Sequence, residues 1–295
     1  MKFGVREICD VVFKATDDVV IGNTTFAAGQ PVLYIDTAKT SSLAGAATTV
    51  YATGGKGNSR LLAWEGEKTL TFTVEDAMLS PLGFSVLTGA GLLEAENTQP
   101  VYVHTTAEIP VIADGTSITV KSSHLGLAAD ATAKIYTDAT NDVNVYGTVV
   151  DSSGAVVRVL GAANTIIDPV IDSEGIVITF TGAALKAGER VLIDFYVERK
   201  SNVKELSITP DKFGGYYYVE ASTLFREQLT GTDLPAEIII PKVKIQSNFT
   251  FNMAASGDPS TFSFVMDAFP ATTKFSNDKV LCLIQIVEDD ESSAS

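Results

Sequence analysis

Alternation of apolar and polar residues with a period of two dominates this sequence and predicts β-strands. Over Thr69–Val74 the chain reads T-L-T-F-T-V, so the large apolar side chains share one face and the threonines share the other. Further apolar or alternating runs of strand length are Pro31–Ile35, Val191–Val197 and Glu237–Gln246. Pro241 in the last run indicates a sheet edge or a bulge, because proline cannot donate a ladder hydrogen bond. We therefore expect a mainly β chain.

One stretch that follows these threonines has the start and stop signals of a helix, and we expect a helix over Glu75–Gly89, with the acidic Glu75 and Asp76 where it begins. Ser80 precedes Pro81, which is the usual order of an N-cap and a first helical residue. Gly89 then suits the C-terminal end. A second, weaker helix is predicted over Ala221–Leu229, before a glycine.

A change in composition divides the chain into an expected core domain and an expected insertion. Residues 101–199 are rich in threonine, valine, alanine and aspartate, with regular turn signals such as Asp114-Gly115 and Ser153-Gly154. Such spacing predicts an inserted β-sandwich module that is immunoglobulin-like in architecture, although the cysteine and tryptophan pattern of true immunoglobulin domains is absent. Residues 1–100 and 200–295 would then form one discontinuous β domain.

The pattern F-x-F-x-M occurs twice, on either side of a turn sequence, S-G-D-P. Two alternating runs joined by such a turn predict an antiparallel hairpin, with Phe249 opposite Met266. Its core face would contain Phe249, Phe251, Met253, Phe262, Phe264 and Met266. Its other face would be polar and would carry Thr250, Asn252, Ser263 and Asp267. A polar face of this kind is suited to water or to another subunit.

A long run of small, polar and glycine-rich sequence covers Thr37–Asn58 and predicts a loop about 20 residues long, which is usually functional or disordered at that length. We expect its most glycine-rich part to be a hairpin tip. That tip comprises Thr53, Gly54, Gly55, Lys56, Gly57 and Asn58. It is not a phosphate-binding loop, because a glycine rather than serine or threonine follows the lysine and the G-x-x-x-x-G-K-[ST] spacing is missing.

Charge and hydropathy narrow the classes of function. The chain has 21 basic and 36 acidic residues, a net charge of −15, which repels nucleic acid and anionic membranes. Hydrophobic residues make up 45% of the chain, enough for a packed core. No apolar run approaches the roughly 20 residues of a membrane helix, and the N-terminus lacks the apolar region of a secretory signal. We expect no membrane partner and synthesis in a cytoplasm.

Residues that could carry out catalysis or hold a metal are sparse. Cys9 and Cys282 form no C-x-x-C pair and are expected to be buried free thiols. His104 and His124 lack metal-ligand spacing and are expected to be surface or satisfied histidines. We therefore expect no catalytic residue, no metal and no cofactor. The enzyme alternative is a β-rich glycan hydrolase that uses paired carboxylates.

The C-terminal run PKVKIQSNFTFNMAASGDPSTFSFVMDAF, followed by KVLCLIQIVED, resembles the tail tube (major tail) proteins of tailed bacteriophages. The N-terminal half agrees in its element order, which is a strand, the glycine-rich segment, the threonine-rich strand and a helix. The resemblance covers residues 1–100 and 200–295. It implies a tail-tube-type β-sandwich or half-barrel with one flanking helix.

This resemblance implies a structural protein of the virion tail and no enzyme. Subunits of such proteins assemble into stacked, commonly hexameric rings, and their sheets line the channel through which genomic DNA leaves without specific binding. The tip at residues 53–58 would bridge neighbouring rings, and the polar face of the hairpin would line the lumen or meet a neighbour. Other implied partners are sheath or terminator, tape measure and baseplate proteins. The insertion leaves open a different structural role, in capsid decoration, a baseplate or an adhesin.

Overall fold

The computed structural model places most of the chain in β-strands and confirms the mainly β class. The structure describes residues 2–5, 7–127, 132–136, 145–163, 170–250, 253, 255–256 and 261–288. Its strands are β1 (Phe3–Val5), β2 (Asp10–Ala15), β3 (Val19–Ile21), β4 (Thr24–Phe26), β5 (Pro31–Ile35), β6 (Ala38–Gly54), β7 (Ser59–Asp76), β8 (Gly91–Glu94), β9 (Val101–Pro110), β10 (Ser117–Val120), β11 (Ala133–Ile135), β12 (Tyr146–Val150), β13 (Val156–Ala162), β14 (Val170–Ile171), β15 (Ile176–Thr179), β16 (Arg190–Arg199), β17 (Lys204–Ser207), β18 (Tyr216–Glu227), β19 (Asp233–Ile245), β20 (Phe262–Ala268) and β21 (Leu283–Ile286).

The chain divides into two compact units. The first combines Met1–Leu93 with Leu206–Ser295, and the second is Glu94–Glu205. One α-helix, α1 (Pro81–Thr88), and one 3-10 helix (Ser122–Leu125) complete the elements of the described residues. Each unit has its own hydrophobic core, and each is described by itself.

A nine-stranded antiparallel sheet forms the first unit. Its order is β5-β2-β18-β19-β20-β7-β6, with β1 also on β18 and β21 also on β19. One face of the sheet is the core, where the Phe13 ring lies 5.9 Å from Phe264 and 6.1 Å from Tyr217. Burying a side chain of this size stabilises the fold by roughly 1.5–3 kcal/mol. No sheet in the described part of the chain closes into a barrel, and β5 and β6 remain as its edges.

Helix α1 has the capping residues that the sequence predicts, but it begins at Pro81 rather than at Glu75. The Ser80 hydroxyl accepts a hydrogen bond from the Gly83 N–H at 2.9 Å, and Pro81 is the first helical residue. Gly89 ends the helix at a φ of 73°, and an added Cβ there would lie 2.3 Å from the Phe213 carbonyl oxygen. The expected acidic first turn is wrong, because Glu75 belongs to the end of β7.

Residues 221–229 are not a helix, contrary to the sequence prediction. They belong to β18 and the turn after it, because β18 pairs along its length with β19 and partly with β2 and β1. Those long-range ladders outweigh the local helical spacing. β19 has one extra residue at this point of its ladder with β18. Tyr217 pairs with Val243 and Val219 pairs with Ile240, so both Pro241 and Lys242 lie opposite Tyr218. The bulge predicted from Pro241 is confirmed.

The predicted pairing of the two F-x-F-x-M runs is wrong. Residues 246–250 lie outside the strands, and Met266 is opposite Ile245 on one side and Phe72 on the other. β20 therefore runs between two long strands, which give it more hydrogen bonds and burial than an isolated hairpin would. Phe264 and Met266 are fully buried, as predicted, whereas Met253 is 89% exposed.

Two further residues of the predicted core face have surroundings different from those of Phe264 and Met266. Phe262 is partly buried against the core of the first unit. The Phe249 ring instead lies 5.0 Å from the ring of Phe84, on helix α1. Phe251, like Asn252 of the predicted polar face, lies outside the described residues.

The second unit has two sheets that share one core. A six-stranded sheet has the order β13-β12-β16-β11-β14, with β9 also on β16, and β10 pairs with β15. Ile109, Ile178 and Phe195 are among the fully buried side chains between them. Gly147 is needed in β12, because a Cβ there would lie 2.4 Å from the Phe180 ring.

Candidate assembly surface

The hairpin of β6 and β7 continues past the sheet as a two-stranded arm, which we define as residues 44–69. β20 pairs with β7 only over Thr71–Asp76, so further out each arm strand has a single partner among the described residues. The predicted loop over Thr37–Asn58 is wrong for this reason, since residues 38–54 form one strand. Small residues without apolar periodicity do not signal a strand, yet their backbone can pair along its whole length.

The tip of the arm lies where the sequence places it, between β6 and β7. Gly55, Gly57 and Asn58 have φ angles of 78°, 90° and 48°, and the Asn58 N–H donates to the Gly55 carbonyl oxygen at 3.2 Å. These left-handed positions explain why glycine and asparagine occur here. Thr53 and Gly54 end β6, and Lys56 is exposed in the turn. A contact of this tip with another ring stays a prediction.

One face of the arm exposes a patch of large apolar side chains. Val50 is opposite Trp64, and Ala52 is opposite Leu62, which places all four on the same face. Val50, Leu62 and Trp64 are 62%, 62% and 54% exposed. We call these three residues the apolar patch. The sequence analysis did not predict this patch, although the run R-L-L-A-W at residues 60–64 places large apolar residues beside the glycine-rich tip.

The opposite face of the arm has a different character. The Arg60 guanidinium lies 4.0 Å from the centre of the Tyr51 ring, in a cation–π contact. Thr49 and Glu65 are opposite each other on that face. An isolated two-stranded hairpin is marginally stable in water, and an exposed apolar patch usually marks an interaction site. The arm is therefore suited to lying against another protein through its apolar patch.

A groove of about 530 Å³ lies at the base of the arm. Gly45–Ala47 and Lys68–Leu70 form one side, and Val280–Cys282 form the other. Burial raises the pKa of the Cys282 thiol to about 11, because the low-polarity surroundings disfavour the thiolate. Both cysteines are free thiols, as expected; Cys9 is buried and Cys282 is partly buried.

The second face of the large sheet, opposite its core, is polar. Asp267 accepts hydrogen bonds from the Thr71 hydroxyl at 3.1 Å and from the Gln246 amide at 2.9 Å. Ser263 is opposite Glu75 on the same face. The structure thus brings Ser263 and Asp267 together, but Thr250 lies outside the strands, so the predicted four-residue polar face is wrong for Thr250.

This polar face carries charges of both signs. Lys14 forms an ion pair with Glu220, and the Ser222 hydroxyl donates to Glu237 at 2.7 Å. Whether the face lines a lumen stays a prediction.

The histidines, the acidic side chains and the helices of the described residues bear on other classes of function. His104 contacts Asp194 at 3.0 Å, and the His124 Nδ1 accepts from the Lys121 N–H at 3.1 Å, so each histidine has a protein partner. The described residues contain no group of three or more side chains that could hold a metal. Within the same part of the chain, no helix has the length and apolarity needed to cross a membrane.

The chain matches a known protein family. The family model described as the YomU/Tube protein family matches residues 3–279. A comparison with curated proteins found no match. The family match runs through both compact units, including the segment that the sequence reading treated as an insertion.

Proposed function

Because that match spans nearly the whole chain, the protein belongs to the YomU/Tube protein family, and we propose that it is the repeating subunit of a phage tail tube. The proposed role is structural rather than catalytic, in the tail of the virion. Its first partner is another copy of the same chain. Other tail components, such as sheath or terminator, tape measure and baseplate proteins, would meet the ends or the outside of the tube.

The arm is the observation that supports this proposal most directly. It leaves the sheet with Val50, Leu62 and Trp64 in solvent, and a patch of that kind is stabilised when a partner covers it. The arm's apolar patch and the surface that covers it on the next subunit would be different parts of the same chain. A contact between two different surfaces of identical subunits is heterologous, and it generates rings when the rotation closes and filaments when it does not.

The two edges of the large sheet suit a ring. β5 at one edge and β6 at the other are open to pairing with additional strands. In the proposed ring, commonly of six subunits, these edges would approach the edges of neighbours. The polar face with Ser263 and Asp267 would then line the channel, and the tip at residues 53–58 would reach the next ring. DNA would pass without specific binding, as the net charge of −15 favours.

The two compact units would have different roles in the proposed subunit. We propose that the discontinuous unit, Met1–Leu93 with Leu206–Ser295, builds the tube. It contains both sheet edges and the arm. The unit Glu94–Glu205 would add a second function without taking part in the channel.

Electron microscopy of the purified full-length chain tests the proposal. We expect rings or tubes at high protein concentration, and globular monomers for the double variant Leu62→Asp, Trp64→Ala. Trp64 is the only tryptophan, so its fluorescence should also shift to shorter wavelength as the wild type assembles. Tyr146→Ala, at an equally exposed aromatic of the unit Glu94–Glu205, is the matched control and should assemble normally.

One outcome would contradict this function, and another would contradict only the role of the arm in it. One is a wild-type chain that remains monomeric at every concentration and forms no part of a virion. The other is normal assembly by the double variant, which would show that the apolar patch has no role in the tube. Circular dichroism of the double variant must match the wild type, so that a folding defect is not mistaken for lost assembly.

A further inference from the structure

The outer face of the six-stranded sheet in the second unit carries a cluster of aromatic side chains. Tyr102, Tyr136, Tyr146, Tyr196 and His104 all lie on this face, and we call them the aromatic face. The registers place them in adjacent rows: Tyr196 is opposite His104, and Tyr146 is opposite Asp194. Alternate residues of β9 and β16 point into the core of the unit, so the aromatic residues are the ones left outward.

Four of the five rings contact each other in two pairs. The Tyr102 and Tyr136 rings have centroids 4.7 Å apart, and His104 and Tyr196 have centroids 5.5 Å apart, both edge to face. Tyr102, Tyr146 and Tyr196 are nevertheless 44%, 55% and 44% exposed. Tyrosine has few rotatable bonds, so a cluster of this kind offers a large, rigid contact area at low entropic cost.

Hydrogen-bonding groups lie among these rings. The Asp194 carboxylate is 3.0 Å from the His104 Nε2, and it is opposite Thr106 as well as Tyr146. Glu198 is opposite both Tyr102 and Lys134. Lys134 and Glu198 also line a groove of about 610 Å³, a volume typical of small-ligand sites. Apolar ring faces therefore alternate with hydrogen-bond acceptors and donors.

The charges of this face balance each other. Glu108 pairs with Arg190 at 2.7 Å, and Glu198 pairs with Lys200 at 3.2 Å. Asp194 has His104 as its partner, and Lys134 is opposite Glu198. Each of these carboxylates thus has a partner, whereas Lys134, Arg199 and Lys200 outnumber Glu198 around the adjoining groove. A ligand that complements the aromatic face itself should be uncharged and rich in hydrogen-bonding groups.

We propose that the aromatic face binds a neutral glycan chain. A pyranose ring presents a flat C–H face that stacks on an aromatic ring, and it presents hydroxyl groups at its rim. The rings of Tyr102 and Tyr196 supply the stacking surfaces, and Asp194 and Glu198 accept hydrogen bonds from the hydroxyls. This inference concerns the second unit and does not depend on tube assembly.

Titration calorimetry with the full-length chain tests the inference, using maltohexaose, cellohexaose and chitohexaose as separate probes. We expect saturable binding of at least one hexasaccharide, and at least a tenfold weaker affinity in Tyr196→Ala and in Tyr102→Ala. The matched control is Tyr34→Ala, which removes a somewhat more exposed tyrosine of the first unit and should bind like the wild type. Tyr196→Phe should keep most of the affinity, since the ring remains.

Three results would overturn the inference. The first is no saturable heat with any of the three hexasaccharides. The second is binding that neither tyrosine variant weakens. The third is a change of oligomeric state, seen by light scattering, in Tyr196→Ala without any sugar, which would identify the face as a protein contact. Because binding is measured in dilute protein, a chain that binds a glycan but forms no tube would contradict only the proposed function.

Discussion

The two halves of the β6–β7 hairpin have the same backbone structure but very different surroundings. In the inner half, Phe72 and Val74 are fully buried in the core of the first unit. In the outer half, the arm, Leu62 and Trp64 are mostly exposed. Core burial therefore stabilises the inner half in a single chain, whereas only a partner can give the arm comparable burial. One continuous hairpin thus serves folding at one end and, in the function that we propose, assembly at the other.

The largest expected effect on stability comes from a substitution of Phe72, in the inner half of the hairpin. Phe72→Ala should lower the free energy of unfolding by about 3–5 kcal/mol, because it leaves a cavity among Phe264, Met266 and Leu43. Urea unfolding of the dilute protein, followed by circular dichroism, measures the loss. Phe72→Leu is the conservative control and should cost much less. A loss below about 1 kcal/mol would mean that the inner half is not the stabilising half.

The inner half was also the part that the sequence predicts well. T-L-T-F-T-V has an apolar face that only a half-buried strand explains, and the cap of Ser80 and Pro81 depends on neighbouring residues alone. Both signals are local. The exposed arm strand at residues 38–54 gave no such signal, because nothing in one chain requires its side chains to alternate.

The errors share a physical cause, which is competition between partners that lie far apart in sequence. The run Phe262–Met266 alternates equally well whether it pairs with its neighbour in sequence or with β7 and β19. The choice depends on which ladder buries more surface, and one sequence does not show that. The same holds for Ala221–Leu229, where pairing with β19 overrode a helical spacing. The two candidate surfaces were the features that the sequence predicted least well, because the apolar patch and the aromatic face consist of exposed residues.

A smaller effect, on the ionisation and reactivity of a thiol, is expected at the boundary between the two halves. There Cys282 lines the groove. Its pKa is raised to about 11 from an ordinary value of 9.0, so the neutral thiol is favoured in the folded chain. This contribution to stability is fully present below about pH 9 and is lost as the pH rises to about 11. At pH 8, the thiolate fraction should be about a hundredfold lower than for an ordinary thiol.

Alkylation by iodoacetamide, followed by mass spectrometry, measures this reactivity. The rate for folded protein at pH 8 should be slow, and it should rise steeply between pH 9 and 11. Cys282→Ser identifies the signal, because the remaining Cys9 is buried. A rate equal to that of the urea-unfolded chain at pH 8 would show that residues 280–282 do not close the base of the arm.

The smallest expected effect is on the stability of the single chain when the arm loses its largest side chain. Trp64→Ala should change the free energy of monomer unfolding by less than about 0.5 kcal/mol, because this tryptophan is more than half exposed. Urea unfolding followed by circular dichroism measures it, with protein dilute enough to be monomeric by light scattering. Phe72→Ala on the same instrument is the positive control. A loss above about 1 kcal/mol would mean that the arm already packs in the monomer, and the two halves of the hairpin would then differ in degree rather than in role.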